Sequence, residues 1–189
     1  MTTYQSMSVS LRGAMLLARG QARGVLMLDI APSGVARSLW AIPLSLLPVL
    51  YLATLDWPAE IPASAMLTGL VRESLIFAVA WLAFMIVTHR IASGLHRANL
   101  WAPMIVAWAW CNVPENLLLV MGTLPGTLGA PHMIDQVAQI VTFGWALWIE
   151  WFVFRLAFRT GPLLAIWLLT IDQSIGVLFT ALDQLLIPH

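Results

Sequence analysis

The residues best suited to chemistry lie in one short stretch, WCNVPEN at 110–116. It places two amides, a carboxylic acid and a proline inside a long apolar run, about residues 98–124. Hydrocarbon offers no water to hydrogen-bond such groups, so they are costly unless another span, a cavity or a ligand faces them. The stretch therefore predicts a polar centre inside a membrane protein.

Other polar residues interrupt neighbouring apolar runs with a helical rhythm. In the fourth run, polar positions recur every three to four residues and define one helix face that should turn away from lipid. In the fifth run, two Asp-Gln pairs are eleven residues apart, which also places them on one face. The residues that these patterns assign to an intramembrane polar cluster are Arg72, Asn112, Glu115, Asn116, Gln139, Glu150, Asp172 and Gln173.

Matching depths predict a pair between Arg72 and Glu115. Each lies on the order of 10 Å from the same membrane face, at 1.5 Å of rise per residue. Glu73 is adjacent to Arg72 and points about 100° away from it. We expect Asn112 or Asn116 to complete the guanidinium contacts. Such a pair is either a structural clasp that fixes helix register or a solvated site in an outward-facing cavity.

The predicted interior holds more acids than bases. The only base is Arg72, whereas the acids are Glu73, Glu115, Glu150 and Asp172. A carboxylic acid in a medium of low polarity must be paired or neutral. The surplus therefore permits a proton relay.

Composition indicates the class of protein. Of 189 residues, 60% are apolar and only 10% are charged, whereas soluble proteins carry about 25% charged residues. We predict an all-α, polytopic membrane helix bundle of about five transmembrane helices. The predicted spans are 35–55, 65–88, 98–124, 134–154 and 163–187, which form one domain (35–189) behind an N-terminal segment (1–34).

The N-terminal segment predicts an amphipathic helix. Arg12, Arg19 and Arg23 form one narrow stripe beside an apolar face. Such a helix either lies in the membrane interface against anionic headgroups or packs on the cytoplasmic end of the bundle. Arg90 and Arg97, each preceded by a histidine, are expected to contact phosphate headgroups as well.

Arginine distribution predicts the topology. All nine basic residues are arginines, and apart from Arg72 they cluster before span 1, between spans 2 and 3, and between spans 4 and 5. This alternation follows the positive-inside rule. We therefore expect a bacterial inner-membrane protein with a cytoplasmic N-terminus and a periplasmic C-terminus.

Motifs of soluble or intramembrane catalysis do not occur in the sequence. It lacks a zinc-protease motif, a nucleophile elbow, a phosphate-binding loop and a dinucleotide fingerprint. The single cysteine, Cys111, excludes an intrachain disulfide and a zinc site built from cysteines. We expect no enzyme activity, no cofactor, no metal and no nucleic-acid partner.

Two phrases resemble segments of small, uncharacterised bacterial inner-membrane proteins. They are DIAPSGVARSLW at 29–40 and WIEWFVFR at 148–155. The plan of a cytoplasmic N-terminal segment followed by five spans is similar to the Yip1-type membrane domain. The resemblance implies a membrane domain and assigns a function to no residue.

Three function classes are considered, and of these an intramembrane enzyme is disfavoured, because the sequence offers no pair of nucleophile and base. A membrane scaffold or assembly protein, with a homo-oligomer or another membrane protein as partner, fits the short loops and is favoured. The alternative is a small transporter or proton-coupled permease that uses its intramembrane carboxylates. Five spans cannot form two equal halves, so an inverted-repeat transporter would need a second chain. Convergence of Glu115, Glu150 and Asp172 on a water-accessible cavity would favour transport, whereas a dry bundle would favour a scaffold.

The predicted topology can be tested by cysteine labelling in intact cells. In a Cys111→Ser background, new cysteines at Ala59 and Ala130 should react with a membrane-impermeant thiol reagent from outside, because both lie in loops without arginine. A cysteine at Ser93 should react only after permeabilisation. External labelling of Ser93→Cys alone would reverse the orientation.

Overall fold

The computed structural model describes residues 3–55 and 62–186, and the predicted all-α class is confirmed: 88% of the described residues are helical, and none of them forms a strand. The helices follow one another with short connections. Their bounds are α1 Thr3–Ala18, α2 Pro32–Ser38, α3 Ala41–Leu55, α4 Ala63–Gly94, α5 Ala98–Thr127, α6 His132–Ala157 and α7 Pro162–Leu186, and a 3₁₀ segment, Ala22–Met27, follows α1.

Five stretches of the described chain are long and apolar enough to cross a membrane, as predicted. The first combines α2 and α3 over Ser33–Leu55, with a break at Leu39 and Trp40, and the other four correspond to α4, α5, α6 and α7. The protein is therefore a multi-pass membrane protein. Most of the predicted connector at 56–62 and the end of span 5 after residue 186 lie outside the described residues.

Helix α5 is the centre of the bundle. It packs against α1, α2, α3, α4 and α6, while α7 packs on α4 and α6. Buried residues make up 61% of the apolar window of α5, against 11–22% in the other four spans. An enclosed helix can carry polar groups that a lipid-facing helix cannot, because protein groups replace the missing water. The WCNVPEN stretch at 110–116 therefore lies in α5, the most buried of the five spans.

Three prolines interrupt the hydrogen-bond ladder of α5. Pro103, Pro114 and Pro125 lie inside the helix and are spaced by eleven residues, which is close to three helical turns. They therefore share one side of the helix. Each lacks the N–H that would bond the carbonyl four residues earlier.

The N-terminal helix α1 belongs to the same bundle as the spans. Its Ala14 and Leu17 are fully buried, and the helix packs on α5 and α6. The Trp145 indole of α6 donates a hydrogen bond of 3.2 Å to the carbonyl of Ala18. Of the two predicted arrangements, the apolar face is thus packed on the bundle, while Arg12 is exposed on the other side.

The chain alternates between two ends of the bundle. At one, which we call the arginine end, the α4–α5 and α6–α7 turns meet: Arg97 Nη1 lies 3.4 Å from the carbonyl oxygen of Arg159. The opposite end carries the α5–α6 turn, where the Asp135 carboxylate accepts a hydrogen bond of 2.9 Å from the Gly126 N–H. This alternation agrees with the predicted arrangement of the arginines, whose cytoplasmic location stays a prediction.

Close packing between α5 and α6 depends on Gly122. A Cβ atom at this position would collide with the Thr142 hydroxyl and lie 3.4 Å from the Gln139 Cα. By contrast, a Cβ at Gly144 of α6 would have no neighbour within 4 Å. The close approach of α5 and α6 at this position therefore requires a residue without a side chain.

We predict opposite effects for two Gly→Ala substitutions. Gly144→Ala should preserve or raise thermal stability in detergent, because alanine is the better helix former by about 1 kcal/mol. Gly122→Ala should lower the free energy of unfolding by about 1–3 kcal/mol, the usual effect of overpacking. Equal stability changes in the two variants, measured by thermal denaturation, would contradict the α5–α6 packing.

Candidate functional site: a carboxyl-lined cavity

Three carboxylic acids from three helices converge on one cavity. Glu115 of α5, Glu150 of α6 and Asp172 of α7 line a partly enclosed cavity of about 280 Å³. Glu115 is 9% exposed and Glu150 is 3% exposed. The remaining lining residues are Phe77, Asn112, Asn116, Leu119, Phe143, Ala146, Leu147, Gln173 and Gly176.

Helical spacing explains how each acid reaches the cavity. On α5, Asn112, Glu115 and Asn116 are spaced by three and four residues and share a face. On α6, Ala146 and Glu150 are four residues apart and belong to the face of polar positions that the sequence predicts for the fourth apolar run. We call this face the polar stripe of α6. The small Ala146 leaves room beside the carboxyl group, so the cavity lies between α5, α6 and α7.

The side-chain amides around the cavity donate hydrogen bonds to other protein groups. Asn112 Nδ2 donates to the Trp108 carbonyl at 3.1 Å, and Asn116 Nδ2 donates to the Asn112 carbonyl at 2.8 Å. Gln173 Nε2 donates to Glu150 Oε2 at 3.1 Å. Each amide therefore directs one of its two N–H donors toward another protein group.

Several buried polar atoms at the site lack a partner within the described part of the chain. They are Glu115 Oε1, Glu150 Oε1 and the indole Nε1 of Trp108. Trp108 is only 2% exposed and lies close to Asp172, which also neighbours Glu150. Buried polar atoms are nearly always satisfied by protein or water, so these atoms indicate a place that water, a proton or a ligand occupies.

An aromatic layer lies on the side of the cavity that faces the arginine end. Phe77 of α4 lines the cavity, and its ring lies 5.5 Å from that of Trp81. Trp108 packs between Trp81 and Phe84 at ring distances of 4.6 and 4.5 Å, and Phe84 contacts Phe154 at 5.9 Å. Because α4 and α6 run toward the arginine end and α5 runs away from it, this layer lies between the three acids and the arginine end.

A second, larger cavity adjoins the site on the side of the opposite end. It has a volume of about 610 Å³ and is lined by polar residues that include Asp135, Gln139 and Thr142. Leu119 and Phe143 line both cavities and therefore form the boundary between them. The polar stripe of α6 thus leads from the opposite end to the carboxyl groups.

The predicted pair of Arg72 with Glu115 is wrong. Arg72 Nε lies 2.9 Å from Asp183 Oδ1, in an ion pair that joins α4 to α7 near the opposite end. Nor do Asn112 and Asn116 complete a guanidinium site, because their side chains bond the α5 backbone. Depth along the membrane fixes only the height of a residue, whereas α4 turns Arg72 toward α7 rather than toward Glu115.

The structure brings together six of the residues assigned to the polar cluster and separates two. Asn112, Glu115, Asn116, Glu150, Asp172 and Gln173 share the carboxyl-lined cavity. Gln139 lies in the adjoining cavity, where its amide bonds Asp135, and Arg72 forms the ion pair with Asp183.

Sequence reasoning missed Trp108 and Phe77. Trp108 lies one helical turn before Asn112, and this spacing could have indicated that it shares the polar face. Phe77 carries no comparable signal, because apolar aromatic residues occur throughout α4.

The arginines predicted to bind lipid headgroups remain outside this site. Four of them have exposed side chains: Arg12, Arg19, Arg23 and Arg90. Arg97 lies in the α4–α5 turn, where its guanidinium stacks 5.8 Å from the Phe158 ring centroid. Their contact with lipid stays a prediction.

The arrangement favours binding of a proton or a small cation. None of the described residues that line the cavity is basic, and three negative charges in one small space would repel one another strongly. The described residues contain no group of three or more acids, histidines or cysteines placed to hold a metal ion. The carboxyl groups of the cavity can exchange protons and accept hydrogen bonds.

Comparisons of the chain with protein-family models, with curated proteins and with solved structures find no match. The fold and the site by themselves define the class: a multi-pass α-helical membrane protein with a carboxyl-lined cavity enclosed by its spans.

Access of water to the cavity can be tested with matched Ala→Cys variants in a Cys111→Ser background. Ala146 lines the cavity, whereas Ala165 of α7 is fully buried and lines none of the described cavities. In proteoliposomes, Ala146→Cys should react with 2-aminoethyl methanethiosulfonate, and Ala165→Cys should not. Mass spectrometry would measure the extent of modification. Equal protection of both cysteines would mean that the cavity is dry.

Proposed function

We propose that this protein is a small proton-coupled permease. In this proposal, Glu115, Glu150 and Asp172 take up and release a proton as a small polar solute passes through the bundle. The observation that carries the proposal is the convergence of these acids, from three different helices, on one cavity. Ionisable groups inside a membrane protein typically mark such pathways, because they are too costly to keep without a use.

The asymmetry of the site supports transport. The adjoining cavity and the polar stripe of α6 offer an approach from the opposite end, and the aromatic layer blocks passage toward the arginine end. A carrier needs this combination, because its binding site must be open to one side of the membrane at a time. Under the predicted topology, the described state faces the periplasm.

The scaffold that the sequence favours has no need of this cavity. A scaffold requires a fixed interior, and a dry core of apolar residues provides one at lower cost than three buried acids. The ion pair between Arg72 and Asp183 fixes α4 to α7 and is compatible with either function. A scaffold is therefore the outcome to which a negative transport experiment would lead.

The proposed setting follows the sequence. We place the protein in the bacterial inner membrane with a cytoplasmic N-terminus, in a bilayer whose anionic headgroups contact the exposed arginines. Five spans cannot form two equal halves, so a carrier built on an inverted repeat would act as a homo-oligomer or with another membrane protein. We propose no enzymatic activity.

Proton movement can be measured in proteoliposomes that contain a pH-sensitive dye. A potassium diffusion potential should drive protons inward faster with the protein than in protein-free vesicles. A triple variant, Glu115→Gln, Glu150→Gln and Asp172→Asn, should lower the protein-dependent rate by about tenfold or more, because amides cannot exchange protons.

Glu73→Gln is the matched control, because Glu73 lies in the α4 span and does not line the cavity. Its rate should stay close to that of the wild type. A rate in the wild type equal to that of the triple variant and of protein-free vesicles would overturn the proposal and favour the scaffold.

A further inference from the structure

We propose that the carboxyl-lined cavity binds a small primary ammonium ion, that is, an alkylamine in its protonated form. This inference rests on the proposed function and names the chemical class of its solute. It also has a test that does not depend on transport.

Hydrogen-bond complementarity is the first reason. The amides of Asn112, Asn116 and Gln173 each use an N–H within the protein. Glu115 Oε1 and Glu150 Oε1 are at least nine-tenths buried and have no partner among the described residues. An ammonium group has three donors and no acceptor, so it can donate to both unpartnered carboxyl oxygens, Glu115 Oε1 and Glu150 Oε1.

Charge is the second reason. Three acids line the cavity and no basic residue does, so an anionic solute would be repelled. A charge-assisted hydrogen bond between N⁺–H and a carboxylate is roughly twice as strong as a neutral one. A neutral alcohol of the same size would therefore bind less tightly than an ammonium ion.

Size and lining distinguish an organic cation from a metal ion. A cavity of about 280 Å³ lies just below the range of about 300–1,000 Å³ that is usual for drug-sized ligands. It exceeds the space of a single water, about 30 Å³ in the liquid, so a bare ion would leave most of it empty. Apolar side chains such as Phe77 and Leu147 can contact an alkyl group, and a nearby aromatic face attracts a cation.

Opposed roles for the proton and the ammonium ion follow from their shared site. Both neutralise the same carboxyl groups, so occupancy by one disfavours the other. Competition between the two at Glu115, Glu150 and Asp172 would link solute binding to proton binding. The coupling requires no further residue.

The experiment measures protection of Ala146→Cys, in a Cys111→Ser background, from 2-aminoethyl methanethiosulfonate. The purified full chain in detergent is incubated with one of five probes before labelling. They are propylammonium, tetramethylammonium, 1-propanol, propionate and potassium ion. Ala130→Cys, in the α5–α6 loop, controls for direct effects of each probe on the reagent.

Propylammonium should slow the labelling of Ala146→Cys in a saturable manner and leave Ala130→Cys unaffected. Tetramethylammonium, which has charge but no N–H, should protect weakly, and the other three probes should not protect. Adding Glu115→Gln should weaken propylammonium binding by about tenfold or more, whereas Glu73→Gln should not. Glu150→Gln is a second variant with the same expectation, and the comparison of probes needs no acidic variant at all.

Equal protection by propylammonium and 1-propanol would overturn the inference, as would protection by propylammonium that both Glu→Gln variants retain. Stronger protection by potassium or propionate would overturn it too. Proton flux that depends on the three acids, together with no protection by propylammonium, would reject the ammonium ion and leave the proposed permease in place. The absence of both the acid-dependent proton flux and the protection by propylammonium would reject both proposals.

Discussion

The absence of water inside a bilayer is the constraint on which this structure depends. Every polar group on a span must find its partner in protein, in a cavity or in a ligand. The chain meets this constraint by surrounding α5 with five other helices, which makes it the most buried of the spans. The other spans expose apolar side chains on their outer surfaces, where lipid is an adequate neighbour.

The same constraint shapes the carboxyl-lined cavity. Asparagine and glutamine side chains satisfy donors locally, by bonding the α5 backbone or Glu150. Carboxyl groups add only acceptors when they are ionised, because an ionised acid has no donor. The result is an excess of acceptors at the point where α5, α6 and α7 meet. The aromatic layer around Trp108 lies between this excess of acceptors and the arginine end.

The sequence predicts the helices and much of the site, because helical periodicity and hydrophobicity are local properties. Five apolar runs indicated the five spans, and the spacing in α6 placed Glu150 on the inward stripe. The partner of Arg72 could not be predicted in this way. A depth estimate ranks residues by height, whereas pairing also depends on helix rotation and on which helices are neighbours. Glu115 met the first condition, but α4 contacts α7 and Arg72 pairs with Asp183.

The position of α1 shows the same limit. An arginine stripe beside an apolar face is compatible with lipid or with protein as the apolar neighbour, and periodicity does not distinguish them. Contact with α5 and the bond from Trp145 to Ala18 place the apolar face on the bundle. That choice depends on tertiary packing, which a local pattern does not encode.

The three prolines of α5 have a mechanical consequence. Each removes a backbone hydrogen bond, and the spacing of eleven residues aligns the missing bonds along one side of the helix. A helix that lacks hydrogen bonds along one side bends more easily in the plane through that side than in other planes. Pro114 adjoins Glu115, so flexion at the middle of α5 would change the width of the space beside that carboxyl group. The most buried helix of the bundle is therefore also a helix that can bend in a preferred direction.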